Sequence, residues 1–419
     1  MATSAPIDSG FVVTAGLRGA SWNKSRMDAP YQTIPTPLTT LDGQRTLGFL
    51  FARGGEKSVV SLMHPREMIV TNYLVPDILE AGYACWVQGP RSVGNDLRLE
   101  HEIALLDVAA GVNHLRELGF KKIILLGTSG GAGLYAFYNQ QSLLLPERRI
   151  QKTPGGRKTG LSEANMPVVD GLIFVSPHPG QGKLLMSGID PSVIDEKDPF
   201  STDQSLDPFS EENGFKSKPE SSSYQSEFIE KYKKAQILRV EKIDAQARNL
   251  IGEKLNAKSR YKEFNKKLDR IQASFSPVFN VWRTDADLRA WDLSLDPSDR
   301  KLGSLWGNDP FVSNWGSVGF GRVVTPESWL STWSGITSNA SFEKCGSSIE
   351  QPTLLIEYSG DNCVFPEDIN QIFKQIKTKD KSRIKIRGNH HGLPLSTGEV
   401  SGQIKAGEFI QGWLKDKFI

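Results

Sequence analysis

Lys122–Gly127 (KIILLG) is a nearly continuous apolar run of strand length, and it passes at once through Thr128-Ser129-Gly130-Gly131 into a helix-like stretch, Ala132–Gln140. A strand that is apolar on both faces needs cover on both, which a parallel sheet clothed with helices supplies. The flanking sequence repeats that rhythm. Arg45–Arg53, Lys57–Met63, Gly82–Gln88 and Gly171–Ser176 read as strands, while 67–80 and Asp96–Leu118 carry apolar residues at helical spacing. Gly119 sits just past the second of these helices, where a C-terminal cap belongs.

The rhythm breaks at about 178 and returns at about 351. Residues 178–226 are rich in Pro, Ser, Gly and Asp and read as loop, and 227–275 read as helix. Six of the nine tryptophans then fall between Trp282 and Trp333. From Pro352 the chain again reads strand (to Tyr358), helix (367–376), strand (Arg383–Arg387) and final helix. The division that follows is an N-terminal arm (1–33), a core in two pieces (34–177 and 351–419) and a large, mainly helical cap inserted at 178–350.

Composition removes several classes of function. With Lys+Arg 50 against Asp+Glu 48, the formal net charge is +2, unlike a dedicated nucleic-acid binder. The basic and acidic residues of 211–270 are interspersed, as on a solvated helix face. No apolar run approaches the ~18 residues of a membrane span, and the N-terminus has no basic start followed by an apolar stretch. Three cysteines, at 85, 345 and 363, suit a reducing compartment. A cytoplasmic protein acting on a small molecule, without nucleic acid or membrane as partner, is expected; a homo-oligomer stays open.

Gly127-Thr128-Ser129-Gly130-Gly131 is the one G-x-S-x-G in the chain. Such a motif alone is weak, but a strand before it and a helix after it are the setting in which the serine is thrust out on a sharp turn. A serine hydroxyl becomes a nucleophile only when a base takes its proton and a third group orients that base. Other patterns fail. Gly131–Ala136 fits G-x-G-x-x-A but lacks an acidic residue at the tip of the next strand. Pro154–Gly160 misses the glycine that should precede Lys158 in a phosphate-binding loop. No H-E-x-x-H or paired CxxC supports a metal, so neither metal nor cofactor is expected.

With this motif in this setting, the chain resembles the α/β-hydrolase superfamily over roughly 45–177 and 350–419. The resemblance implies an α/β-hydrolase fold, a serine esterase activity and a chain order of serine, acid, histidine. Strand Thr353–Tyr358 runs into Ser359-Gly360-Asp361-Asn362-Cys363-Val364, similar to the family's G-D-x-x-V, which nominates Asp361. Strand Arg383–Arg387 runs into Gly388-Asn389-His390-His391, similar to G-x-x-H, and this register nominates His391 as base with His390 as its neighbour. The resemblance places oxyanion donors at Gly130 and in the loop His64-Pro65-Arg66. Pro65 stands where the family usually has glycine and has no N–H, so the second donor falls to Arg66. His64 is expected to hold that loop. His64, His178, His390 and Trp315 are the candidate substrate contacts, while Arg91, Asn95 and Asp96 read as a salt-bridged loop. A bulky, mainly apolar ester or lactone is the expected substrate. C–C bond hydrolysis, acyl transfer or cyclisation by the same residues, and a silent binding protein on the same fold, stay open.

Overall fold

A computed structural model describes residues 30–94, 96–316 and 319–418. Its centre is an eight-stranded sheet of β1 (Gln32–Thr39), β2 (Arg45–Ala52), β3 (Ser58–Met63), β4 (Ala84–Gln88), β5 (Lys122–Thr128), β6 (Gly171–Val175), β9 (Thr353–Tyr358) and β10 (Lys381–Ile386). The spatial order is β1-β2-β4-β3-β5-β6-β9-β10. β2 runs antiparallel to both its neighbours, and every pairing from β4 to β10 is parallel. The middle strands are buried on both faces, which is why β5, β6 and β9 read as unbroken apolar runs instead of alternating.

Helices cover both faces. On one side α2 (His101–Glu117) and α3 (Gly130–Ser142) close the larger core around Trp86, Leu125, Phe137 and Phe174. On the other, α1 (Val75–Glu80) and the C-terminal helix Gly402–Phe418 bury Leu62, Leu126, Ile173 and Ile356.

β1 was not foreseen because Pro35 and Pro37 argue against a strand. It lies at the sheet edge, where a missing N–H costs no interior ladder bond. Gln32 and Thr33 belong to this strand, so the expected arm does not extend to 33; residues 1–29 lie outside the described residues.

Between β6 and β9 the chain leaves the sheet. α4 (Gln181–Gly188) replaces part of the expected loop. Its glycines obscure the helix in sequence but allow it in space, since a Cβ on Gly182 would lie 2.4 Å from the Ser334 carbonyl oxygen. α5 (Ser226–Phe264) and α6 (Lys267–Ser274) realise the helical stretch, and β7 (Phe279–Asn280) pairs with β8 (Val323–Val324). A separate aromatic cluster (Phe209, Phe215, Tyr224, Tyr232, Trp291) lies within this segment, while its Trp306, Trp329 and Trp333 join the larger core. Among the described residues, no helix is long and apolar enough to cross a membrane.

Candidate active site

Four neighbouring strands, β5, β6, β9 and β10, end at the same edge of the sheet, and each hands one side chain to a common point. Ser129 caps α3 with φ 54° and ψ −121°, a left-handed conformation that a non-glycine residue adopts only under constraint. The surrounding glycines permit that turn. A Cβ on Gly127 would lie 2.6 Å from the backbone of Ala132, and one on Gly131 would lie 2.5 Å from the Met63 carbonyl oxygen. Ser176, at the end of β6, also has positive φ (46°), and its hydroxyl donates to the His390 carbonyl.

Asp361 Oδ2 lies 2.7 Å from His390 Nδ1, and His390 Nε2 lies 3.0 Å from Ser129 Oγ. The other carboxylate oxygen accepts the backbone N–H groups of Cys363 (2.7 Å) and Val364 (2.9 Å), so the acid is fixed before it orients the imidazole. All three side chains are buried.

This corrects the expectation for His391. Asn389 Oδ1 accepts the N–H groups of both His391 and Leu393, and Gly392 N–H closes back on the Asn389 carbonyl. The turn is therefore one residue tighter than G-x-x-H implies, and His390 points inward. His391 is half-buried, packs edge-on against the His390 ring and lines the cavity mouth.

A second imidazole was not anticipated at this distance. His178 Nε2 stands 2.8 Å from Ser129 Oγ, and the backbone N–H of His178 donates to the Ser129 carbonyl. The hydroxyl has one proton to give. His390 donates Nδ1–H to the carboxylate, so its Nε2 accepts from Ser129, and His178 must donate Nε2–H to Oγ.

The loop after β3 also departs from expectation. Arg66 N–H donates to His64 Nδ1 (3.2 Å) and so is already engaged. Its guanidinium is held by Asp96 (2.8 Å) and lies over the rings of Phe320 and Trp333. By accepting at Nδ1, neutral His64 carries its proton on Nε2. That nitrogen and Gln181 Nε2 crowd Gly130, the residue after Ser129, since a Cβ there would meet them at 2.9 and 2.4 Å. Gln181 is buried, and both its amide atoms lack a hydrogen-bond partner among the described residues. Sequence reasoning missed it; only its place just after the β6 loop could have drawn attention to it.

Trp315 is corrected as well. It packs with Phe209 and Phe311 beneath the Arg283 guanidinium, in the aromatic cluster of the inserted segment. His178 instead stacks on the His390 ring at 5.5 Å and meets Phe320 edge-on at 5.9 Å, and Phe320 in turn packs against Trp306 and Trp333. Arg91 pairs with Asp107 and Asp42, and Asp96 with Arg66, as a salt-bridged loop; Asn95 lies outside the described residues.

A cavity of about 180 Å³ opens beside Ser129, lined by Met68, Ile69, Tyr73, Val175 and the three imidazoles of His64, His390 and His391. Behind it, burial pushes the His101 imidazole down to about 3, with a further push from His64, while burial raises the Glu102 carboxyl. The phenols of Tyr73 and Tyr358 share a 2.8 Å hydrogen bond, and burial raises both.

No family model and no curated protein matches the chain. Solved structures resemble it at low identity. An esterase of Pyrococcus furiosus, Pf2001, is 13% identical over 95% of both chains with a TM-score of 0.46. DcsB, solved with a substrate analogue, is 13% identical over 93% of this chain and 100% of its own, TM-score 0.49. The α/β hydrolase GrgF of a Penicillium species is 14% identical over 92% and 99%, TM-score 0.46. Likenesses of this strength carry no weight beside the strand order and the turn at Ser129. With its serine on the strained turn after β5, and acid and imidazole on the turns after β9 and β10, the chain has the α/β-hydrolase fold.

Proposed function

We propose that the protein is a serine hydrolase that cleaves a carboxylic ester or lactone through an acyl-enzyme. The observation that carries this reading is the Asp361–His390–Ser129 hydrogen-bonded chain on a strained turn. Ser129 attacks the carbonyl carbon as its proton passes to His390 Nε2, and Asp361 stabilises the imidazolium that forms. The same proton is returned to the departing alcohol. Water, activated by His390, then releases the acid.

The oxyanion requires N–H groups aimed at the developing charge. Gly130 opens α3, where a first-turn amide has no intrahelical acceptor. We assign the complementary donors to the side chains of His64 (Nε2–H) and Gln181 (Nε2) in place of the Arg66 amide. An amide buried without a partner is costly, and an oxyanion beside Gly130 would satisfy it. His178 is a positioning residue that holds Oγ through its Nε2–H.

A cavity of about 180 Å³ is comparable with the ~150 Å³ apolar cavity that takes up benzene. It suits one apolar arm of a small-molecule ester, with the inserted segment 178–350 acting as the cap that excludes water. A cytoplasmic setting accords with three cysteines that form no disulfide.

A fluorophosphonate probe should label the wild-type protein and not Ser129→Ala, and nitrophenyl esters with short aromatic acyl groups should be turned over. Labelling that persists in Ser129→Ala, or no turnover of any ester in a short- and long-chain panel, would reject the reading.

A further inference from the structure

Among the described residues, one cluster of three metal-ligating side chains has its ligand atoms all within 4.8 Å of one another: His178, Cys363 and His390. We propose that these three, with Ser129 Oγ or a water as fourth ligand, form a zinc site whose occupation switches the serine centre off.

The geometry is close to what the ion needs. Zn–N bonds of about 2.0–2.1 Å and a Zn–S bond of about 2.3 Å at tetrahedral angles put neighbouring ligand atoms about 3.3–3.6 Å apart. Cys363 Sγ lies 3.6 Å from His178 Nε2. Ser129 Oγ lies 2.8 Å from His178 Nε2 and 3.0 Å from His390 Nε2, so seating the ion asks only for small outward movements.

The donor set selects the metal. One sulfur and two imidazole nitrogens suit zinc, whereas calcium and magnesium prefer oxygen ligands. Asp361 is engaged on the far side of His390, at Nδ1. That completes a carboxylate–histidine–metal arrangement, which fixes the imidazole tautomer and raises its basicity toward zinc. The ligands sit on turns after three adjacent strands, so the sheet holds the cage. Their sequence positions, 178, 363 and 390, form no metal motif, which is why the sequence reading found none.

Binding is a simple exchange. The Cys363 thiol loses its proton to solvent as the Zn–S bond forms, and the His178 proton that sat on Nε2 moves to Nδ1, so that Nε2 presents its lone pair to the ion. No electron is transferred. Zinc on His390 Nε2 occupies the lone pair that must accept the Ser129 proton, so turnover stops until the ion leaves.

The test uses the untagged, chelator-stripped full chain, with Co²⁺ as a spectroscopic stand-in for zinc. Titration should give a thiolate-to-cobalt charge-transfer band and the strong visible bands of four-coordinate Co²⁺, saturating at one equivalent and bleached by Zn²⁺. Cys363→Ala, or Cys363→Ser should the first fold poorly, should lose the charge-transfer band. It should also need at least ~10-fold more Zn²⁺ for half-inhibition of ester turnover. A wild-type titration without the band, or a band that survives in the Cys363 variant, would overturn the proposal. The spectra need no turnover. A band in the wild type together with unlabelled Ser129 would therefore reject the hydrolase reading and leave the zinc site standing.

Discussion

His178 Nε2 lies 2.8 Å from the Ser129 hydroxyl oxygen, nearer than His390 Nε2 at 3.0 Å, yet only His390 has a carboxylate behind it. That asymmetry separates the two rings. His390, oriented and compensated by Asp361, can carry the positive charge of the transferred proton; His178 can only steady the oxygen. His390→Ala is expected to lower kcat by roughly 10⁴-fold or more, as the loss of a triad member does. His178→Ala should cost far less, and His391→Ala should stay within ~10-fold of wild type. Nitrophenyl ester kinetics on the three variants decide the order, and a dead His391→Ala beside an active His390→Ala would reverse the assignment.

The unpartnered Gln181 amide gives activity and stability opposite signs. Gln181→Ala removes a donor beside Gly130, so kcat should fall about 10²–10³-fold with little change in KM. Affinity for a boronate transition-state analogue should fall in parallel. Removing a buried amide that has no partner among the described residues should leave the unfolding midpoint unchanged or raised. A variant with normal kcat would take Gln181 out of the oxyanion site.

Two glycines that follow Ser129, at two and four positions, should respond differently to alanine. A Cβ on Gly131 meets the Met63 carbonyl oxygen at 2.5 Å, a backbone atom that cannot swing away. Gly131→Ala should cost about 1–3 kcal/mol, read from denaturant unfolding. At Gly133 the nearest atoms are 3.6 and 3.7 Å away, ordinary contact distances, and the position is inside α3. Gly133→Ala should be neutral or stabilising by up to about 1 kcal/mol.

Acid sensitivity should trace in part to His101. Its pKa in the folded protein is about 3 against an ordinary 6.5, because burial disfavours the imidazolium. The unfolded chain binds the proton more readily. The stabilising contribution is therefore complete above about pH 6.5 and is lost as pH falls toward 3. The slope of Tm against pH between 6.5 and 4 should be shallower in His101→Gln than in the wild type. Equal slopes would remove His101 from the account.

The parallel core and the turn at Ser129 were legible in the sequence because each depends on local chemistry, a doubly buried strand and glycines around a strained turn; Asp361 was nominated by the family resemblance, and its carboxylate lies 2.7 Å from His390 Nδ1. What depended on how a turn closes on its own side chains, or on contacts between distant segments, was not legible. Asn389 tightens the last turn by one residue, so the inward imidazole is His390, and tandem histidines carry no sign of which one turns in. The Arg66 amide is taken up by His64, and Trp315 is absorbed into an aromatic cluster of its own. His178, Gln181 and Cys363 reach Ser129 only because adjacent parallel strands end at one edge. Strand adjacency is set by packing of the whole sheet, and no residue spacing along the chain encodes it.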